Sequence, residues 1–484
     1  MDQASHWRIE QADQFSVIVD AEDYFRTARH AMLNAKQRIM LVGWDFDARI
    51  ELDHACSKDE GPRPVGEFIY WLVQRNPQLH VYLLRWDVGA LKGLFRGITI
   101  FTVLKWMVHP RIHTKLDGHH PTGASHHQKV VVIDDCLAFC GGIDMTGDRW
   151  DTRSHLDKDP ERVQPSGNPY KPWHDATSAA TGPVAAALGH MARDRWVRAG
   201  GKPIAPVVGH EPCWPAHLRV DFETMPVRIA RTVPRMRDQE PVHESEALFL
   251  EQIAAAKRHV YVESQYFASR RIAEAIAARL GEADGPEFVI INPLTAQGWL
   301  EPMAMDTARA RLVTALWRRD RFQRLRLYHP YTAGGTPIYV HAKILIADDR
   351  VLRLGSSNMN NRSLRLDTEC DLAIQADTAT DRARVTAIRD DLIAEHLGVA
   401  PDVVEAAIAR TGSLIAAIEG LRGEGRSLRA YEVPDLTAVE TWLADNEVLD
   451  PEGPDEMFEA LSARGLFRRL RRPGSKAPKM RLGR

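Results

Sequence analysis

The 484-residue sequence predicts an α/β protein made of two similar lobes packed together. Two observations predict it. Apolar, β-branched runs alternate with helix-periodic segments, the pattern of parallel or mixed sheets covered by helices. The same order of elements then recurs after roughly two hundred residues, a period too long for a solenoid. A chain of this length builds two or three ordinary domains, and pockets tend to form where such lobes meet.

In the first half, residues 21–36 read as an amphipathic helix, 38–44 as a buried strand, 65–75 as a helix and 79–86 as a strand. In the second half the order repeats as helix 245–257, strand 259–264, helix 271–281 and strand 287–293. The Pro- and Gly-rich stretches 152–172 and 201–216 read as linkers. On this division residues 1–210 form an N-terminal lobe and 211–400 a C-terminal lobe. Residues 401–484 form a small helical extension that ends in a basic, flexible tail. That tail, GLFRRLRRPGSKAPKMRLGR, suits anionic lipid head groups as well as it suits a solvated terminus. Residues 88–108 mix large apolar side chains with Lys92, Arg96 and Lys105. They fit a core helix somewhat better than a helix lying in a membrane interface.

Composition narrows the classes. The 44% hydrophobic and 26% charged content is that of a folded soluble protein, and the net charge of −2 lacks the basic excess of a dedicated nucleic-acid binder. The N-terminus has no signal-peptide pattern, and no uncharged apolar run is long enough to span a bilayer. Five scattered cysteines (Cys56, Cys136, Cys140, Cys213 and Cys370) without CxxC spacing fit a reducing compartment and argue against a zinc site. The expected location is the cytoplasm, with peripheral contact at the inner membrane face. His113, His119, His120 and His126 cluster without acidic or cysteine partners at ligand spacing, so neither metal nor cofactor is expected.

The chemistry lies in a repeated motif. His127-Gln128-Lys129 leads through an aliphatic run to Asp134, and His341-Ala342-Lys343 leads likewise to Asp348. In a strand, residues i and i+2 share a face, so each His–Lys pair points one way. The aspartates have the opposite parity and read as more structural than chemical, although they complete the candidate catalytic set. Gly141-Gly142-Ile143-Asp144 follows the first copy, and Gly355-Ser356-Ser357-Asn358 follows the second at matching distance. Glycine backbone N–H groups, with Ser356 and Asn358, are candidate donors to an anionic ligand.

A phosphodiester needs these residue types. Two lysines offset its charge, one imidazole attacks phosphorus, and a second protonates the leaving alkoxide and then activates the acceptor. One histidine cannot easily hold both roles. A carboxylate beside each imidazole would fix its tautomer and stabilise its cation. Glu369 is a good candidate, and Asp175 a weaker one because a much longer loop precedes it. A single such motif arises by accident; two copies at equivalent places in a repeat do not readily do so.

These residues resemble the phospholipase D superfamily, whose signature is HxKxxxxDx6GSxN, usually present twice. GGIDMTGDRWD (141–151), NPYKPWHD (168–175), VESQYF (262–267), YVHAKILIADD (339–349) and GSSNMNNRS (355–363) extend the resemblance, which covers about 15 to 400. It implies one bilobal α/β/α unit whose motifs meet at a pseudo-two-fold interface. It implies His127 as nucleophile and His341 as general acid, Lys129, Lys343 and Asn358 on the phosphate, and chemistry that is independent of metal. Gly142 and Asp144 depart from the signature's Ser and Asn, and Asp144 is expected to face backbone donors. The resemblance implies a monomeric enzyme that hydrolyses or transphosphatidylates glycerophospholipids. A cardiolipin synthase-like phosphatidyltransferase is the nearest alternative. A nucleic-acid phosphodiesterase fits less well, given the near-neutral charge. A non-enzymatic member would normally have lost a motif His or Lys, and all four are present.

Overall fold

The computed structural model describes residues 4–87, 105–106, 108–209, 213–297 and 305–434. Most of the 88–108 stretch and the whole basic tail lie outside the described residues.

Chain order begins β1 Arg8–Val19, α1 Ala21–Leu33, β2 Arg38–Gly43, α2 Val65–Arg75, β3 His80–Trp86 and β4 Ile112–Asp117. It continues with β5 Val130–Ile133, β6 Leu137–Gly141, β7 Trp173–His174, β8 Ala176–Thr181 and α3 Pro183–Arg198. The second half opens with β9 Phe222–Val233, β10 Val242–His243, α4 Glu244–Ala255, β11 His259–Glu263, α5 Arg270–Leu280, β12 Glu287–Ile291 and α6 Thr307–Trp317. It closes with β13 Leu325–Tyr331, β14 Tyr339–Val340, β15 Ile344–Ala347, β16 Val351–Gly355, β17 Glu369–Gln375, α7 Ala379–Leu397, α8 Pro401–Thr411, α9 Leu414–Leu421 and β18 Ser427–Ala430.

Most strands form one continuous sheet in the order β4-β3-β2-β5-β6-β8-β1-β9-β17-β16-β15-β11-β12-β13-β18, with β10 branching from β9 and β7–β14 forming a separate pair. This order is nearly palindromic about the antiparallel pair β1–β9, in which Arg8 lies opposite Ile229 and Phe15 opposite Phe222. A pseudo-two-fold axis thus passes between two α/β/α halves. One sheet face carries α3, α7, α8 and α9 over a single apolar cluster that spans both halves. The other face is divided: α1 and α2 cover one cluster, and α4, α5 and α6 cover another. Lys129 shares the parity of Val131 and Ile133, in the first of these, and Lys343 shares that of Leu345 and Ala347, in the second. Both motifs therefore project from the divided face.

Three expectations change. Helix α1 stops at Leu33 rather than 36, because the Lys36 and Gln37 N–H groups donate to the Asp134 carboxylate at 2.6 and 2.8 Å. Residues 401–430 are not a purely helical extension: β18 covers the free edge of β13, and an uncovered edge is a liability. The cysteines are not all free thiols, since Cys136 and Cys213 form a disulfide with Cα atoms 6.4 Å apart. The linker after α3 brings Cys213 back over the β5–β6 turn, a proximity that spacing could not reveal.

Candidate active site

Each motif is held by backbone bonds to the opposite half. The His127 N–H donates to the Thr368 carbonyl at 3.0 Å, and the Thr368 N–H to that of Ser125 at 3.0 Å. Reciprocally, β14 pairs with β7, and the His341 N–H donates to the His174 carbonyl at 2.7 Å. Thr368 and His174 immediately precede Glu369 and Asp175, so each motif histidine receives the acidic strand of the other half.

The side chains follow. His127 Nδ1 lies 3.0 Å from both Glu369 oxygens and 3.1 Å from the Ser356 carbonyl. His341 Nδ1 lies 2.6 Å from Asp175 Oδ2. The Ser356 carbonyl and the Asp175 carboxylate can only accept, so both Nδ1 atoms carry the proton, and each Nε2 keeps its lone pair for chemistry. His127 is the more open of the two, 16% exposed against 6% for His341.

The electrostatics differ between the two pairs. Burial, then Lys129 and Lys343, push the His127 imidazole well below its ordinary pKa. Burial raises the Glu369 carboxyl well above its usual range despite Lys129. Burial also pushes Asp175 upward but is outweighed by His341 and Lys343, which bring it to about 2. The His341 imidazole is lowered by burial and Lys343, with Asp175 opposing. The lysines differ too. Lys129 Nζ pairs with Asp144 Oδ2 at 3.2 Å. Lys343 donates to the His341 carbonyl, and burial, opposed by Asp175 and reinforced by Lys129, lowers it to about 7.

Other sequence candidates land elsewhere. Asp134 and Asp348 end the short strands β5 and β15, roughly 20 Å along the chain from the histidines. Each carboxylate accepts three backbone N–H bonds, from Lys36, Gln37 and Arg38 or from Lys257, Arg258 and His259. This corrects their inclusion in a catalytic set. The proposed backbone donors are also occupied. The N–H groups of Gly141, Gly142, Gly355 and Ser356 bond the carbonyls of Lys129, Ala176, Lys343 and Cys370. The Ser356 hydroxyl donates to Glu369 Oε2 at 2.5 Å. Asn358 keeps a free acceptor, Oδ1, while its amide donates to Gln265 at 3.4 Å.

The Gly142 departure has a steric reason. A Cβ there would stand 2.2 Å from Asp175 Oδ1, so no serine fits beside this carboxylate. Asp144 accepts from the Trp44 N–H at 3.0 Å, and it also pairs with Lys129, which sequence reasoning did not anticipate. Buried Trp173 packs 5.1 Å from the His341 ring, and Arg149 lies 4.3 Å above Trp173. Trp44 and Trp86 stack on each other at 5.8 Å. Arg149 was not singled out, although its RWD segment was; it adds positive charge to His341 and Lys343.

A second group of ionisable side chains is buried behind Asp175. Asp20, His155, His174 and Glu395 surround one point. Burial disfavours the His155 cation, but Asp20, Asp151 and Glu395 outweigh it and raise the imidazole to about 9. The sequence carried no spacing signal for this group, whose members come from four separate segments.

The family model described as "Cardiolipin synthase, PLD-like domain" matches residues 249–390. Phospholipase D A of Dictyostelium discoideum is 24% identical over 82% of this chain, and phospholipase D alpha 1 of Vigna unguiculata is 22% identical over 78%. The chain spans 36% and 64% of the lengths of those two proteins. The fold is similar to that of the phosphatidylserine synthase of Haemophilus influenzae Rd KW20, with a TM-score of 0.56 and 15% identity. That alignment covers 84% of this chain and 95% of the other.

Proposed function

We propose that this chain, which belongs to the phospholipase D superfamily, is a phosphodiesterase that transfers the phosphatidyl group of a glycerophospholipid to water or an alcohol. The observation that carries the reading is the pair of Nε2-free imidazoles, each held through Nδ1 by a carboxylate from the opposite half.

In this reading His127 Nε2 attacks phosphorus. A P–N bond forms, the P–O bond to the head group breaks, and His341 gives its Nε2 proton to the departing alkoxide. Water or an alcohol then loses a proton to His341 and attacks, the P–N bond breaks, and phosphatidic acid or a new phosphatidyl alcohol leaves. Lys129, Lys343 and Asn358 bind the phosphate. Glu369, with its raised pKa, suits the neutral imidazole of a nucleophile; Asp175, held ionised, suits the imidazolium of a general acid. Burial and the lysines keep both imidazoles neutral in the free enzyme. An arriving phosphodiester anion offsets the lysine charge and lets His341 take up its proton.

One chain carries both motifs, which supports a monomer. The described residues contain no helix long and apolar enough to cross a membrane; peripheral contact with the lipid is part of the proposal. The N-terminal and C-terminal lobes are proposed as the working units, with the second running through β18. The cardiolipin synthase description over 249–390 favours a second reading, in which the acceptor is the hydroxyl of another lipid. Mixed phospholipid vesicles with brief EDTA treatment and added ethanol test both. Phosphatidic acid plus phosphatidylethanol supports the proposal, and a bis-phosphatidyl product moves the chain to the second reading. No lipid turnover, with cleavage of a nucleotide diester, would sink both.

A further inference from the structure

The buried group behind Asp175 has the geometry of a metal site. His155 Nε2 lies 3.3 Å from Asp20 Oδ2 and 3.0 Å from Glu395 Oε1. His174 Nδ1 lies 3.3 Å from Asp20 Oδ1 and 2.9 Å from the same Glu395 oxygen. Four ligands about 2.0–2.1 Å from a tetrahedral zinc ion stand about 3.3 Å apart. The four side chains are at most 2% exposed.

The surroundings point the same way. Each histidine offers one ring nitrogen to the centre and commits the other to a further carboxylate. His155 Nδ1 bonds Asp151 Oδ2 at 2.9 Å, and His174 Nε2 bonds Glu263 Oε2 at 2.8 Å. This carboxylate–histidine pairing fixes the tautomer and aims the lone pair of a ligand. The outer carboxylates are themselves held: Asp151 by Arg162 at 3.0 Å, Glu263 by the Tyr261 hydroxyl at 2.6 Å and by His396 at 3.0 Å. The second Glu395 oxygen takes Arg153 at 2.6 Å, while Arg426 stands 3.7 Å from the first. Asp20 Oδ2, buried and directed at the centre, makes no hydrogen bond.

We propose that Asp20, His155, His174 and Glu395 bind a divalent cation, zinc by the N2O2 donor set, and that this ion ties the two halves together beside the active site. Asp20, His155 and His174 belong to the first half and Glu395 to α7 of the second. The His174 carbonyl receives the His341 N–H, and the next residue, Asp175, holds the His341 ring. The ion therefore positions the general-acid side of the site. With four protein ligands it has no open coordination position and takes no part in the phosphoryl chemistry. The alternative occupant is a pair of protons, giving two imidazoliums with the same total charge. Both ring nitrogens lie within hydrogen-bond distance of one Glu395 oxygen, as either occupant allows, but Asp20 Oδ2 is left without a bond, and that favours the metal.

Elemental analysis of the full chain, purified without a polyhistidine tag or chelator, tests the site independently of any lipid activity. The expected result is about one equivalent of zinc. Cobalt in its place should give the visible absorption of a four-coordinate ion. Asp20→Asn and His155→Gln should each lower zinc affinity by at least roughly tenfold. His190→Gln, at a partly exposed α3 histidine outside this network, should retain the metal. Folded protein with less than about a tenth of an equivalent, whose thermal midpoint does not move on adding zinc, would overturn the proposal and leave a proton-filled network.

Discussion

At the scale of single residues, the site depends on which group holds which proton. Loss of either imidazole should stop the reaction: His127→Ala and His341→Ala are each expected to lower turnover by roughly 10⁴-fold or more. A denaturing gel with radiolabelled lipid separates their roles, since only the nucleophile's loss should prevent the covalent adduct. Asp175→Asn should keep the fold but lose roughly 10²–10⁴ in rate, because an amide cannot stabilise the imidazolium. Lys343 supplies a pH dependence. Its pKa near 7 means that the free enzyme loses this cation as pH rises through 7. kcat/KM should therefore fall on that limb, while bound phosphate should move the limb upward in kcat. A pH–rate profile at low and saturating lipid checks this. The depressed Asp175 pKa bears on stability instead. Its contribution is complete above the ordinary value of 3.8 and is lost as pH falls from there towards 2.

At the scale of elements, the motif aspartates are structural anchors. Asp134 and Asp348 both adopt positive φ, 51° and 55°, at the turns after β5 and β15, a conformation that Asp tolerates better than most residues. Each also ties down the start of the neighbouring strand through three N–H bonds. Removing one carboxylate strands these donors. Asp134→Ala and Asp348→Ala should each cost about 1–3 kcal/mol of stability while leaving kcat within about threefold at 25 °C. Denaturant melts with parallel activity assays would read both; a large loss of kcat in a fully folded variant would return these residues to the chemistry.

For the whole molecule, function depends on assembling two halves that are each incomplete. β1 and β9 join them in one sheet, a shared apolar cluster backs them, and each motif histidine takes its carboxylate from across the axis. The Cys136–Cys213 disulfide closes a loop of 77 residues between the first half and the linker. In the chain-entropy account a loop of that size contributes up to about 4.5 kcal/mol. Reductant should lower the thermal midpoint of the natural chain and leave that of Cys213→Ser unchanged.

The sequence by itself determined the alternation of strands and helices, the internal repeat and the two His–Lys pairs. These are local patterns: periodicity and spacing along one strand are enough to read them. Glu369 and Asp175 were legible as acidic residues on the strands beyond the motifs. That each serves the other half's histidine was not, because that pairing arises only when the sheet closes about its axis. Glycine spacing suggested backbone donors to phosphate, but the sheet ladder uses those N–H groups, and only tertiary structure could decide between the two uses. Asp20, His155, His174 and Glu395 are scattered over nearly four hundred residues and share no motif. Only packing brings them to one point, and only there do their charges acquire meaning.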